Sequence, residues 1–155
     1  MNVAYAGQVT ASLIGPYLYS IWARNLLYVG ETQRHPTVRW SQHIGPLGSF
    51  RMAATNRALI DLDPDERVAF YAFDLSGPLG SFPPVQLKNA SQAVEHELHM
   101  LIRSQPSFLG IELQLISDTE RTAPRSFRRW DVARSIAEDT AAQLRAAMTT
   151  ARPDF

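Results

Sequence analysis

The sequence predicts an α/β protein of the α+β kind, with a small central sheet of three mostly antiparallel strands, flanking helices and a C-terminal helical extension. Three observations predict this class. Two short apolar runs flank a polar turn, a third apolar run contains no breaker, and longer segments place apolar residues at helical spacing. The chain has 155 residues, enough to bury its own core, so we expect residues 1–155 to form a single domain.

The strands are predicted where aromatic and β-branched residues cluster. Residues 16–22 and 26–30 form a hairpin around a turn at 23–25. Residues 67–75, RVAFYAFDL, make the third strand, because the run is mostly apolar and contains no glycine or proline. The alternating segment IELQLI at 111–116 is typical of a further strand, which belongs to the extension.

Helices are predicted over 37–45, 51–60, 89–103 and 130–148. The first ends at Gly45, a residue type favoured at helix C-termini. The third carries an apolar stripe at three- and four-residue spacing, and the last is rich in Ala, Leu and Arg, which are strong helix formers. We expect these helices to cover the sheet with their apolar sides.

Composition excludes several kinds of site. The chain has no cysteine, so it can form no disulfide, thiol nucleophile or cysteine-ligated zinc site. No apolar run reaches the ~20 residues needed to span a bilayer, and the N-terminus lacks the basic region of a signal peptide. We therefore expect a cytoplasmic protein with no membrane partner.

The basic residues are unusual in kind, although the net charge is zero. Arginine accounts for 14 of the 15, and Lys88 is the exception. A guanidinium is a planar fork that matches phosphate better than an ammonium group does, but GC-rich codon usage favours arginine as well. The basic stretch from Arg121 to Arg134 contains Phe127 and Trp130, which suits a nucleic-acid strand. In the structural alternative, Trp130 seats the last helix on the sheet.

The segment His96-Glu97-Leu98-His99 looks like half of a zinc-protease motif. That motif needs two histidines four residues apart on one helical face, whereas Met100 stands four residues after His96. No third ligand is evident nearby. Surface histidines beside Glu97 are the preferred interpretation.

Five other elements occur in a fixed order along the chain. They are Gly15-Pro16-Tyr17, Tyr28-Val29-Gly30, Arg39, His43 one helical turn later, and Ala93-x-x-x-Glu97 followed by Met100, Leu101, Ile102 and Pro106. In order and spacing they resemble the GIY-YIG nuclease family: two triplets, an arginine with a following His or Tyr, and the helix of the catalytic glutamate. The resemblance covers roughly residues 14–106. Residues 107–155 are then an extension with a strand, a basic loop and a helix.

The resemblance implies a metal-dependent endonuclease that hydrolyses phosphodiester bonds, with DNA as the favoured substrate. Tyr17 is then the base or the water-positioning residue and Tyr28 its partner, or the reverse. Arg39 holds the phosphate, His43 relays a proton or orients a tyrosine, and Glu97 binds one Mg²⁺ or Mn²⁺. Because a free phenol has a pKa of about 10, a nearby cation is needed to favour the phenolate at neutral pH.

Two departures from the family pattern accompany this assignment. Proline replaces the usual isoleucine at Pro16, and no asparagine follows Pro106, where many members carry one. The missing asparagine supports an alternative, in which the domain binds nucleic acid or a protein and is catalytically impaired. Tyr19 and Trp22 are predicted to pack, and His35 to lie in a loop without a catalytic role.

Candidate nucleic-acid contacts surround the predicted site. Glu31 and Thr32 follow the second triplet, where they either contact phosphate or metal or lie in solvent. The candidate backbone-binding residues are Arg34, Arg51, Arg57, Lys88, Arg125, Arg128 and Arg129. The extension is expected to determine target choice, homodimer contacts or the binding of a regulatory protein. The sequence leaves open DNA against RNA, single against double strands, the cleavage sequence, the biological role and the oligomeric state.

Overall fold

The computed structural model describes residues 14–105, 107–108, 112–118 and 123–150. In chain order the elements are β1 (Ile14–Ala23), β2 (Leu26–Arg34), α1 (Pro36–Ile44), α2 (Ser49–Ala58), β3 (Ala69–Asp74), a 3₁₀ turn (Pro84–Gln86), α3 (Leu87–Ser104), β4 (Gln114–Leu115) and α4 (Trp130–Thr150). These strands form one sheet in the order β3-β1-β2-β4, with helices on both faces. The predicted α+β class is confirmed.

The sheet differs from the predicted one in strand number and in direction. It has four strands among the described residues and is mixed, because β1 pairs antiparallel with β2 and β3 while β4 pairs in parallel with β2. Gln114 N–H donates to the Asn25 carbonyl at 2.7 Å, and Ile116 N–H donates to the Leu27 carbonyl at 2.9 Å. The prediction of three mostly antiparallel strands was wrong. Strand β4 is only two residues long and pairs with a segment far away in the chain, and local sequence patterns do not reveal such a pairing.

A two-residue turn closes the hairpin of β1 and β2, since Ala23 pairs with Leu26. Arg24 in this turn has a φ of 53°, the left-handed conformation that tight hairpin turns use. Its guanidinium lies 2.6 Å from the Glu66 carboxylate and 3.3 Å from that of Asp63. The acidic turn before β3 is therefore anchored to the tip of the hairpin.

Side chains on β1 alternate between two cores. Leu18 and Trp22 belong to the larger cluster, which α3 and α4 cover. Tyr19 and Ile21 belong to a smaller cluster on the opposite face, together with Phe50 of α2. Helix α1 also contacts this second face. The tyrosine side of the hairpin is thus enclosed by α1 and α2.

Helix α3 presents different residues to the sheet and to α4. Glu95 and His99 are four residues apart and share one side, where His99 Nε2 lies 3.2 Å from the Val29 carbonyl oxygen of β2. Glu97 is rotated from Glu95 by about 200° around the helix axis. Its carboxylate pairs with Arg134 of α4, with Nε and Oε2 3.0 Å apart. The two glutamates therefore face different neighbours: Glu95 is on the side of α3 that faces the sheet, and Glu97 is on the side that faces α4.

The predicted helices are all present, and both ends of each lie within two residues of the predicted ends. The predicted extension is packed closely on the rest of the chain. Strand β4 joins the sheet, and Leu144 and Met148 of α4 lie in the larger core cluster. In the part of the chain that the structure describes, no helix is long and apolar enough to cross a membrane.

Candidate active site

A buried hydrogen-bonded chain links the hairpin to the first two helices. Tyr19 Oη lies 2.7 Å from His43 Nε2, and His43 Nδ1 lies 2.7 Å from Ser49 Oγ at the start of α2. Tyr19 and His43 are only 2% and 3% exposed. Burial, followed by the charge of Arg39, lowers the pKa of His43 to about 4. The imidazole is therefore neutral at neutral pH, with one nitrogen as donor and the other as acceptor.

Tyr28 completes an aromatic cluster around the His43 ring. Its ring centroid lies 4.6 Å from that of His43 and 6.4 Å from that of Tyr19. Strand register explains the approach, because Tyr28 is opposite Ile21 and Tyr19 is opposite Gly30, so the two phenols are diagonal neighbours on one face. Tyr28 is half-buried, so it is the more accessible phenol.

Two glycines of the sequence triplets make room for tyrosine rings. A Cβ atom at Gly30 would lie 3.0 Å from Tyr19 Cε1 and would overlap the Tyr19 hydroxyl. A Cβ atom at Gly15 would lie 2.9 Å from Tyr17 Cδ2 and equally close to the Thr32 carbonyl oxygen. Close packing, and not a left-handed backbone, is what requires glycine at these positions.

Arg39 stands one helical turn before His43 on α1 and is exposed to solvent. Burial raises the pKa of Tyr19 well above its usual value, Tyr28 raises it further, and Arg39 opposes the rise. The pKa of Tyr28 is also raised, first by burial and then by Glu95, again against the effect of Arg39. The cation that would favour a phenolate is present, but desolvation outweighs it, and both phenols keep their protons at neutral pH.

Glu95 is the buried acidic residue of this cluster. It is 9% exposed, and it forms no hydrogen bond or ion pair with any described residue. Burial raises the pKa of Glu95 to about 8, with a further rise from Glu31 and partial compensation by Arg39. A buried carboxylate without a counterion is costly. A proton or a cation at this position therefore stabilises the fold.

Glu31 follows Gly30 on β2 and reaches across to α3. Its Oε2 accepts hydrogen bonds from Gln33 Nε2 at 2.9 Å and from Ser91 Oγ at 3.0 Å. Ser91 lies one helical turn before Glu95, so the carboxylate of Glu31 lies on the same side of α3 as Glu95. The sequence offered two alternatives for Glu31, a contact with phosphate or metal and a position in solvent. In the structure its carboxylate is hydrogen-bonded to α3.

Of the five predicted catalytic residues, Tyr28, Arg39 and His43 lie together in this cluster. Tyr17 shares the β1 face of the cluster but is buried further along the strand, with its ring edge-on to His35 at a centroid distance of 6.0 Å. Tyr17 therefore contacts the residue that precedes α1, whereas Tyr19 contacts His43 itself.

Glu97, the predicted metal ligand, is directed away from the tyrosines. Its ion pair with Arg134 lies between α3 and α4, on the side of α3 opposite to Glu95. Glu97 thus has an ion-pair partner on α4, and Glu95 lies in the cluster instead.

Tyr19 and Glu95 are absent from the predicted catalytic set, although each leaves a signal in the sequence. Strand alternation places Tyr19 on the face of Tyr28, and the glycine across the hairpin at Gly30 marks where its ring fits. For Glu95 the signal is its four-residue spacing from the polar residues Ser91 and His99, which marks the sheet-facing side of α3.

Two of the predicted nucleic-acid-binding arginines bind the protein's own backbone. Arg51 Nη1 donates to the Leu62 carbonyl at 3.0 Å, and Arg57 Nη1 donates to the Ile116 carbonyl at 2.9 Å. These bonds fix the segments that follow α2 and β4. Arg51 and Arg57 are therefore engaged in holding the fold.

The other predicted nucleic-acid contacts are exposed, and these are Arg34, Lys88, Arg125, Arg128 and Arg129. The loop before α4 is tied to the start of α3, where Asn89 Nδ2 lies 3.4 Å from Ser126 Oγ. At the start of α4, Trp130 Nε1 donates to the Phe127 carbonyl at 3.1 Å, and Phe127 is buried. Both rings pack into the larger core, so they help to seat α4.

The prediction of surface histidines in the zinc-protease-like segment was wrong for His99. This residue is buried, with Nε2 2.9 Å from Ser117 Oγ, whereas the His96 ring contacts Trp130 at 5.8 Å. Among the described residues, no group of three or more His, Cys, Asp or Glu side chains could hold a metal ion. A metal in this part of the chain therefore has no more than two such ligands.

Comparison of the chain with known protein families, with curated proteins and with solved structures finds no match. The function is accordingly inferred from the residues of the cluster and from the motifs that they form.

Proposed function

We propose that the protein is a metal-dependent endonuclease of the GIY-YIG type, with DNA as its favoured substrate. One observation carries this proposal: residues from β1, β2, α1 and α3 supply two phenols, an imidazole, a guanidinium and an unpartnered buried carboxylate to a single cluster. They are Tyr19, Tyr28, His43, Arg39 and Glu95. Phosphodiester hydrolysis needs a group on the phosphate, groups that position water and a site for a cation.

Arg39 is the phosphate-binding residue in this proposal. It is the exposed cation of the cluster, and its charge acts on both phenols, so a phosphate held by the fork lies near them. Tyr28, the accessible phenol, orients the attacking water through its hydroxyl. These two residues set the geometry of attack.

The buried chain behind them positions Tyr28. The Tyr19 hydroxyl lies 2.7 Å from His43 Nε2, and the Tyr28 ring packs against the His43 ring at a centroid distance of 4.6 Å. The His43 ring is a weak base, because burial lowers its pKa to about 4, so it orients Tyr28 and takes no proton. As water attacks phosphorus and the P–O bond to the leaving oxygen breaks, the water loses a proton to solvent and the leaving oxygen takes a proton from solvent.

Glu95 is the residue that would hold Mg²⁺ or Mn²⁺. Its unpartnered carboxylate fits a hard cation, which prefers oxygen ligands. Such an ion, when bound, acts as a Lewis acid that stabilises charge on the phosphate. Glu95 replaces Glu97 in the predicted set, and Tyr19 replaces Tyr17.

Incubation of plasmid and single-stranded DNA with Mg²⁺ or Mn²⁺ tests the proposal. We expect cleavage that depends on the divalent ion and falls by about 100-fold or more in Glu95→Gln, the scale of losing one electrostatic stabiliser. Glu97→Gln is the matched control, since it makes the same change two residues away on α3 and should keep most of the activity. The absence of nicking at several ionic strengths, or loss of activity in the control variant alone, contradicts the proposal.

A second candidate is a binding module without catalysis. The near-complete burial of Tyr19 and His43 favours it, as does the lack of any asparagine after Asn89 in the sequence. Retention of labelled DNA or RNA without cleavage would support this candidate. The cytoplasmic location, and a homodimer or regulatory partner bound through residues 107–155, stay predictions.

A further inference from the structure

We propose that Glu31 is a second carboxylate ligand, and that it forms a two-carboxylate site for one divalent cation together with Glu95. The inference rests on the proposed function for the role of the ion in cleavage. The site itself is argued from the contacts of the two side chains, and it can be tested with the metal alone.

The first support is the state of Glu95. The residue is nine-tenths buried, and its carboxylate has no hydrogen-bonding or ion-pairing partner among the described residues. Ion pairs are available elsewhere on α3, since Glu97 has Arg134. A largely buried acid without such a partner is stabilised by a bound cation.

The second support is the way in which Glu31 is held. Both of its hydrogen bonds, from Gln33 Nε2 and from Ser91 Oγ, go to Oε2. Oε1 accepts no hydrogen bond from a described residue. Ser91 itself is fixed, because its hydroxyl lies 3.0 Å from the Lys88 carbonyl and 2.9 Å from Gln33 Nε2. One oxygen is thus anchored to α3 and the other is left for a ligand.

Spacing places the two acids on neighbouring turns of α3. Ser91 and Glu95 are separated by one helical turn, a rise of about 6 Å, so the carboxylate that Ser91 binds is held over the turn that precedes Glu95. Glu31 and Glu95 are both acidic, and Arg39 is the cation that acts on Glu95. Two acids that repel one another beside a single arginine form an environment that a divalent cation relieves.

The donor set indicates the type of cation. Both ligands are carboxylate oxygens, and the described residues offer no third His, Cys, Asp or Glu. Mg²⁺ keeps several of its waters and commonly binds through one or two carboxylates, and Mn²⁺ accepts similar ligands. We therefore expect Mg²⁺ or Mn²⁺, and not zinc.

Titration of the full chain with Mn²⁺ alone, followed by electron paramagnetic resonance of the free ion, tests the site. We expect one Mn²⁺ per chain, loss of binding in Glu95→Gln, and weakening by at least about tenfold in Glu31→Gln. Ser91→Ala keeps both acids but releases Glu31, and it should weaken binding by about tenfold. Glu97→Gln, a buried glutamate on the same helix, should bind Mn²⁺ as the wild type does. Melting temperatures measured without metal verify that each variant is folded.

Failure of this inference can be told apart from failure of the proposed function. If Glu31→Gln binds Mn²⁺ as tightly as the wild type does, Glu31 is not a ligand, even if Glu95→Gln abolishes DNA cleavage. If no variant changes binding, or the wild type binds no Mn²⁺, the two-carboxylate site is wrong. If binding needs both acids but no nucleic acid is cleaved, the cation site stands and the nuclease proposal falls.

Discussion

Acidification should destabilise the protein through His43, by an amount that follows from its surroundings. The folded-state pKa is about 4, against an ordinary value of 6.5. Between these values the unfolded chain binds more protons than the folded one, so the free energy of unfolding decreases as the pH falls from 6.5 toward 4. At pH 5 the difference between these two pKa values lowers the free energy of unfolding by about 2 kcal/mol. Solvent screening near the exposed Arg39 reduces this to about 1–2 kcal/mol.

The assay compares urea unfolding of the wild type and of His43→Gln between pH 5 and pH 8. The difference between the two proteins is the informative quantity, because other groups also titrate. The pKa of His99 is lowered to about 4 and gives a pH dependence of the same sign. The pKa of Glu95 is raised to about 8, so the folded state holds a proton that the unfolded chain releases, and stability falls as the pH rises toward 8.

We expect the wild type to lose about 1–2 kcal/mol more than His43→Gln between pH 7.5 and pH 5. Ser49→Ala is the control, since it removes the hydroxyl partner of His43 Nδ1 but leaves the titrating ring in place. The free energy of unfolding of Ser49→Ala should be lower than that of the wild type, but it should change with pH at a similar slope between pH 6 and pH 7.5. Parallel profiles for the wild type and His43→Gln would show that the ring is not held in its neutral form, and the role proposed for it beside Tyr28 would be lost.

Two further predictions concern the hairpin and Arg39, the proposed phosphate-binding residue. Gly30→Ala should reduce stability by about 1–3 kcal/mol, because the added Cβ overlaps the Tyr19 ring; urea unfolding measures this loss, and a variant as stable as the wild type would show that the ring does not occupy this space. Arg39→Lys should reduce DNA cleavage by about 10-fold or more while leaving the melting temperature unchanged, since an exposed ammonium cannot replace a bidentate fork. Normal cleavage rates in Arg39→Lys would exclude bidentate phosphate binding.

Local sequence patterns predicted most of the secondary structure. The hairpin and the four helices follow from periodicity and turn residues, which act over a few positions. Strand β4 depends on a partner some 90 residues earlier, at Leu27, and only two of its residues pair. Its role in a mixed sheet is decided by tertiary packing, which no local pattern encodes.

The site was partly predictable for a similar reason. Arg39 and His43 are one turn apart on a single helix, so their shared face follows from helix geometry alone. Strand alternation places Tyr17 and Tyr19 on one face but does not say where α1 crosses it. Helix α1 crosses this face at His43, and His43 contacts Tyr19.

The choice between Glu95 and Glu97 needed information from outside the region of resemblance. Both lie on α3, and either could face the sheet when the helix is considered alone. Helix α4 decides the matter, because Arg134 pairs with Glu97 and leaves Glu95 to the other side. The sequence pattern within residues 14–106 does not contain that contact.

The contact between Glu97 and Arg134 has a consequence for building chimeras. A recombination boundary after residue 106 would place α3 and its partner α4 in chains of different origin. The carboxylate of Glu97 would then lose its cation, and Leu144 and Met148 would be exchanged for side chains not fitted to this core. A junction ahead of Leu87 would transfer both helices together, so that α4 would arrive with the α3 surface that it covers.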